Sequence, residues 1–204
     1  MVGRHAKNLY FSITYFKQGD INMNNQEFFD IKIAGLQRQL PLCVVSDKLK
    51  IAAFIMFGDV EITEKCACEL LKKCPEFDFL LTAESKGIPL GYEMAKQSGK
   101  NYIVARKSEK LYMKKPISVE VKSITTEKMQ KLYLSEDDLV KMEGKRILLV
   151  DDVISTGKSL AALEELISKA NGTIVGKACV LAEGNASERK DIIFLEKLPV
   201  FPIE

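Results

Sequence analysis

Residues 146–159 read RILLVDDVISTGKS, an apolar run that ends in two acids and opens into small, hydroxylated residues before a helical pattern. Ile147, Leu148, Leu149 and Val150 are consecutive and apolar, which is the pattern of a strand covered on both faces in a parallel sheet. From Ser159 on, Leu160, Leu163, Leu166 and Ile167 recur at helical spacing, so the turn between is a strand-to-helix junction. Open α/β sheets bind their ligands at that carboxyl edge.

The turn is suited to a phosphate. Ser155, Thr156, Gly157, Lys158 and Ser159 offer backbone N–H groups, hydroxyls and the positive end of a helix, and Gly157 lets the backbone approach closely. Asp151 and Asp152 would repel a phosphate, so they are expected to face vicinal hydroxyls, a metal, or both. Gly157-Lys158-Ser159 matches the end of a nucleotide-hydrolysing GxxxxGK[ST] loop, but its leading glycine would stand where the chain has Asp152. An ordinary βα turn does not require paired acids directly after a buried strand.

Upstream, residues 77–105 follow a βαβ pattern. Strands are expected at 77–83 and 102–105 with a helix at 88–97 between them, so the sheet is parallel with right-handed crossovers. The loop Ala83-Glu84-Ser85-Lys86-Gly87 sits at the same edge, and its Ser85, Lys86 and Gly87 suit a second anion. Arg106, Lys107 and Lys110 follow the next strand and add cations beside it. Residues 116–135 alternate like a hairpin around the polar run SITTEKMQ, a candidate mobile lid.

The flanks are plainer. Residues 1–40 show no clear period, 40–45 reads as a strand, and a helix is expected over 60–73, ended by Pro75. A strand over 173–181, a polar loop at 183–189 and an apolar last edge strand at 195–201 close the chain. The fold class is α/β, a mostly parallel central sheet flanked by helices.

Composition narrows the function classes. The chain has 204 residues, 47% hydrophobic and 28% charged, as expected of one globular domain with a small appendage. With no membrane-length apolar run and no leader pattern at 1–13, a cytoplasmic protein without a membrane partner is expected. A net charge of +2 argues against a nucleic-acid-binding face. Five cysteines, an odd number, argue against a disulfide framework, and Cys66, Cys68 and Cys74 lack paired CxxC spacing, so buried thiols are expected. His5 is the single histidine and lies in a terminus expected to fray, so neither histidine acid–base catalysis nor a multi-histidine metal site is expected.

The 146–159 stretch resembles the phosphoribosyl-pyrophosphate-binding motif of type I phosphoribosyltransferases, and the likeness extends over residues 77–201. It implies the type I phosphoribosyltransferase fold, with an N-terminal hood at 1–60, a core at 61–204 and a flexible lid at 106–135. By the resemblance, Asp151 and Asp152 hold the ribose hydroxyls, and Ser155, Thr156, Gly157, Lys158 and Ser159 hold the 5-phosphate. Ser85, Lys86 and Gly87 resemble the pyrophosphate loop of purine enzymes, with Lys86 where adenine enzymes usually carry arginine, and Arg106, Lys107 and Lys110 neutralise pyrophosphate. Glu127 is the candidate for a lid glutamate near the reacting base; the alternative is a solvated glutamate. Magnesium is implied as the cofactor, carried by the substrate near Asp151 rather than by protein ligands, together with a homodimer.

The resemblance also bears on the acceptor. Oxopurine enzymes often carry an aspartate where this chain has Ser155, and a lysine after the following strand, where Gly184 follows Glu183. Adenine is therefore the expected acceptor, giving AMP and pyrophosphate. Spacing in the 105–110 and lid segments also resembles bacterial xanthine enzymes, so an oxopurine or orotate-type acceptor stays open. A regulator that senses phosphoribosyl pyrophosphate without catalysis stays open as well.

Overall fold

The computed structural model describes residues 26–122 and 129–203. Three strands come first, β1 (Phe28–Ile33), β2 (Leu36–Ser46) and β3 (Leu49–Ala52). Helix α1 (Val60–Leu71), strand β4 (Phe79–Ala83), helix α2 (Ile88–Ser98) and strand β5 (Asn101–Ala105) follow. Next are β6 (Ile117–Lys122), β7 (Met129–Leu134), helix α3 (Glu136–Met142), strand β8 (Arg146–Ile154), helix α4 (Lys158–Lys169) and strand β9 (Thr173–Glu183). A 3-10 helix (Gly184–Glu188), β10 (Ile193–Leu198) and β11 (Val200–Pro202) complete the described chain.

The apolar run organises the main sheet. Its five strands lie in the order β10-β9-β8-β4-β5, every pair parallel, with β8 at the centre. Alternation sends Ile147 and Leu149 into a core with α4 and the β6–β7 hairpin, and Leu148 and Val150 into a second core with α1 and α2. All four are at most 1% exposed. Each such side chain contributes roughly 1.5–3 kcal/mol of apolar burial, which is why the run carries no polar residue until the sheet's edge.

A second sheet, β1-β2-β3-β11, is antiparallel and packs on the α1–α2 side, where Ile31, Ile33, Leu40 and Ala52 share that core. Phe29 meets Phe201 edge-on at 5.2 Å between ring centroids.

Three sequence expectations change. The apolar end does not form one edge strand: β10 lies at the edge of the main sheet, while β11 pairs with β3. Pro199 separates the two, having no N–H to continue a ladder. Helix α3 is an addition, although its signature was present: Ser135 caps the Asp138 N–H, and Glu136, Asp137 and Asp138 fill the first turn. The polar loop at 183–189 contains the 3-10 helix. Cys66 is buried, and burial pushes its thiol up to about 12; Cys68 and Cys74 are half-buried. Among the described residues no helix is long and apolar enough to cross a membrane. His5, Glu127 and the 123–128 part of the lid lie outside the described residues.

Candidate active site

The carboxyl ends of β4 and β8 diverge around the paired acids. β4 stays paired to β8 only as far as Thr82 and Val150, whereas β9 accompanies β8 to Ile154. Asp151 and Asp152 thus stay beside β9 on one side and lose the β4 neighbour on the other, and they line a cavity of about 210 Å³. Ser85, Lys86, Lys107 and Ser159 line it with them, joined by Glu84, Leu132 and the ends of both strands.

Each of the two loops expected to hold an anion leads into a helix. The loop after β4 carries a cis peptide between Glu84 and Ser85 and ends at Gly87, the residue that opens α2. The loop after β8 ends at Gly157, which takes φ +75° and opens α4. Neither helix start is capped by a side chain, whereas α1 and α3 are capped by Asp59 and Ser135. At α2 the Ile88 N–H goes to the Ser85 carbonyl at 3.2 Å and Pro89 has no N–H, so α4 keeps the fuller set of first-turn N–H groups for an anion, while α1 and α3 each give one to a side-chain cap.

The acids are not equivalent. Asp152 is 3% exposed, and its Oδ2 lies 2.8 Å from Lys86 Nζ, an ion pair without the alignment of a hydrogen bond. Asp151 Oδ1 accepts the Asp152 N–H at 2.9 Å. Burial, then the neighbouring Asp152 charge, holds the Asp151 carboxyl well above the usual carboxylate range. A group in that state favours a cation or hydroxyl donors against it.

The expected cations divide. Lys86 and Lys107 line the cavity, but Arg106 and Lys110 do not. Arg106 Nη2 lies 3.4 Å from Glu84 Oε1, and Lys110 Nζ donates to Ser108 Oγ at 2.6 Å. Glu84 also accepts the Lys107 N–H at 2.8 Å, and that bond, then the Arg106 charge, holds its carboxyl below its ordinary range. The Arg106 backbone pairs with Tyr133 at 2.9 and 2.8 Å, which pins the base of the β6–β7 hairpin beside the cavity. Ser155, Thr156 and Lys158 stay exposed on their loop.

Two residues without a sequence-derived role also stand at this edge. Glu183 ends β9, half-buried, and burial raises its carboxyl while the Lys86 charge opposes the rise. Arg189 approaches Gly157 from the end of the 3-10 helix. Neither lies in a recognisable motif, so the sequence carried only their proximity to the end of a strand.

Residues 63–202 match the family described as phosphoribosyl transferase domain. The chain belongs to the phosphoribosyl transferase family. The matched span begins within α1 and ends in β11, so it takes in both loops, both acids and all five strands of the main sheet. An adenine phosphoribosyltransferase of Bifidobacterium longum is 38% identical over 123 residues, 60% of this chain and 61% of the relative. The chain thus spans about three fifths of the length of that relative. One of Thermotoga maritima is 34% identical over 123 residues, covering 60% and 68% of the two chains. The adenine phosphoribosyltransferase structure of Thermoanaerobacter pseudethanolicus superposes with a TM-score of 0.59 at 23% identity, covering 70% of this chain and 84% of its own. That of Leishmania tarentolae gives 0.60 at 17%, covering 87% and 85%. At these identities the structural likeness is one of fold.

Proposed function

We propose that the protein transfers the ribose 5-phosphate group of phosphoribosyl pyrophosphate to a purine base, adenine above others, giving AMP and pyrophosphate. The observation that carries this reading is the pair of uncapped helix starts at α2 and α4 on either side of Asp151 and Asp152. The donor has a phosphate at one end, a pyrophosphate at the other and two hydroxyls between, and the placing of the paired acids between the two loops supports that order.

In this assignment Ser155, Thr156, Gly157, Lys158 and Ser159 hold the 5-phosphate, and Asp151 and Asp152 accept hydrogen bonds from the ribose hydroxyls. Ser85, Lys86, Gly87 and Lys107 take the pyrophosphate, with Lys110 at the rim. Arg106 acts through Glu84, which fixes the backbone of Lys107. The C–N bond forms as the C1–O bond breaks, pyrophosphate leaves with the electron pair while cations balance its charge, and the ring N–H proton of the base passes to the departing pyrophosphate or to water.

The two adjacent carboxylates and the raised Asp151 carboxyl fit magnesium brought in by the donor and reached through water, since this ion keeps its waters. When bound, it neutralises the leaving oxygens. The second sheet serves as the hood over the acceptor, and the β6–β7 hairpin, with 123–128 and Glu127, as the lid that excludes water. A cytoplasmic homodimer completes the proposal.

The deciding experiment is pyrophosphate release from phosphoribosyl pyrophosphate and magnesium with adenine, guanine, hypoxanthine, xanthine, orotate or uracil offered separately. Adenine is expected to give the fastest turnover; a faster oxopurine would move the acceptor assignment. Donor binding with silence for every base would replace the enzyme with a sensor.

We assign Glu183, at the carboxyl end of β9, to the acceptor side, where its carboxylate form accepts from a 6-amino group and offers nothing to a 6-oxo group. Glu183→Leu is expected to lower kcat/KM for adenine about 10- to 100-fold, the worth of one hydrogen bond to a charged group, with donor affinity unchanged. An unaltered base panel would remove Glu183 from the acceptor site.

A further inference from the structure

The guanidinium of Arg189 is aimed. Its Nε and Nη2 donate to the two oxygens of Asp191 at 2.9 and 2.7 Å, a fork that sets the plane of the group. Asp191 is held in turn by Lys177 Nζ at 3.0 Å, and Lys177 pairs with Glu164 of α4 at 2.7 Å. The arrangement ties the segment after the 3-10 helix to the helix that the phosphate loop opens. The third nitrogen, Nη1, donates to no group among the described residues and lies against Gly157: a Cβ added there would stand 2.5 Å from it. Glycine at 157 thus serves two ends, its φ of +75° and the space for this nitrogen.

The charges are ordered as well as paired. Asp191, Lys177 and Glu164 lie behind the guanidinium, so the network presents a cation at its loop end. Lys158, the loop's own cation, is exposed on a flexible stem, whereas Arg189 is fixed before any ligand arrives.

We propose that Arg189 is a phosphate-binding residue of this site, presenting Nη1 through the gap at Gly157 to the 5-phosphate end of the donor. This rests on the reading of the loop after β8 as the 5-phosphate site. It adds a residue that acts on one end of the donor and not on the other, because the pyrophosphate loop is reached by Lys86 and Lys107 instead.

The test uses two half-ligands, ribose 5-phosphate and inorganic pyrophosphate, titrated calorimetrically into the full chain without turnover. Arg189→Gln is expected to weaken ribose 5-phosphate about 10- to 100-fold, the loss of one charge-assisted contact, and to leave pyrophosphate within about twofold. Asp191→Asn keeps the Arg189 charge but loosens the fork that orients it, so it is expected to weaken ribose 5-phosphate by less and again to spare pyrophosphate. Equal weakening of both ligands would assign Arg189 a structural role and overturn the proposal, as would unchanged affinity for both. If the wild-type chain binds pyrophosphate and not ribose 5-phosphate, the loop reading fails together with the proposal. If it binds both and Arg189→Gln does not separate them, the proposal alone fails.

Discussion

Replacing Asp151 and Asp152 together by asparagine is expected to cut turnover of phosphoribosyl pyrophosphate by about 10²- to 10⁴-fold while the fold stays intact. Each carboxylate accepts from a ribose hydroxyl in the proposed complex, a hydrogen bond to a charged group worth about 1.5–3 kcal/mol, and roughly 1.4 kcal/mol is a factor of ten. The stability expectation runs the other way from the usual loss of a paired acid. Burial and the Asp152 charge hold the Asp151 carboxyl above its ordinary 3.8, so the folded state binds that proton more tightly than the unfolded one. Its stabilising contribution is complete below 3.8 and is lost as pH climbs through the raised value. At neutral pH an amide at 151 removes that penalty, whereas an amide at 152 leaves Lys86 without its partner. The ligand-free double variant is therefore expected to melt at or near the wild-type temperature. Wild-type turnover would take the ribose away from these acids; a large drop in melting temperature would turn the lost activity into an unfolding effect.

Gly87→Ala is expected to damage both ends of the site at once. A methyl at 87 would collide with Thr82 Oγ1 and stand 3.1 Å from Asp151 Oδ1 and 3.3 Å from Asp151 Cα. The neighbours are Thr82 within β4 and Asp151 of β8, so relief must come from shifting the loop after β4 or β8. Overpacking of this kind costs about 1–3 kcal/mol in stability. A displacement on the order of 1 Å at the reacting groups costs about 100-fold in kcat/KM. The collision also names its own remedy. Thr82 Oγ1 is buried without a hydrogen-bond partner among the described residues, so Thr82→Ala removes the obstacle and sacrifices no polar contact seen there. Activity of the Gly87→Ala, Thr82→Ala pair is expected to exceed that of Gly87→Ala alone, and a double-mutant cycle without coupling would show that the collision is not the cause.

Much of the architecture was legible because burial on two faces is a local property of sequence. A strand flanked by helices on both sides must be apolar at consecutive positions, and Ile147 to Val150 satisfy this without reference to any partner. The two strand-to-helix loops assigned to anions in the proposal were legible as junctions for a related reason: small, hydroxylated residues between a strand and a helix act through their own backbone, and position along the chain sets their geometry. Helix α3 was legible too, through Ser135 and the acids that follow it, but a short amphipathic segment beside a polar lid was masked by its surroundings.

Tertiary structure alone decided which charges meet. Glu84 and the Lys107 N–H are 23 residues apart, and their bond depends on β4 and β5 ending side by side. The pairing of Lys86 with Asp152, and the approach of Arg189 to Gly157, depend likewise on how adjacent strands end. The crossing of the chain's apolar end into the second sheet needed the position of β3. Residue types and local periods fix what a segment can do alone. Which partner a side chain finds is set by strand order and register, and these emerge only when the whole core packs.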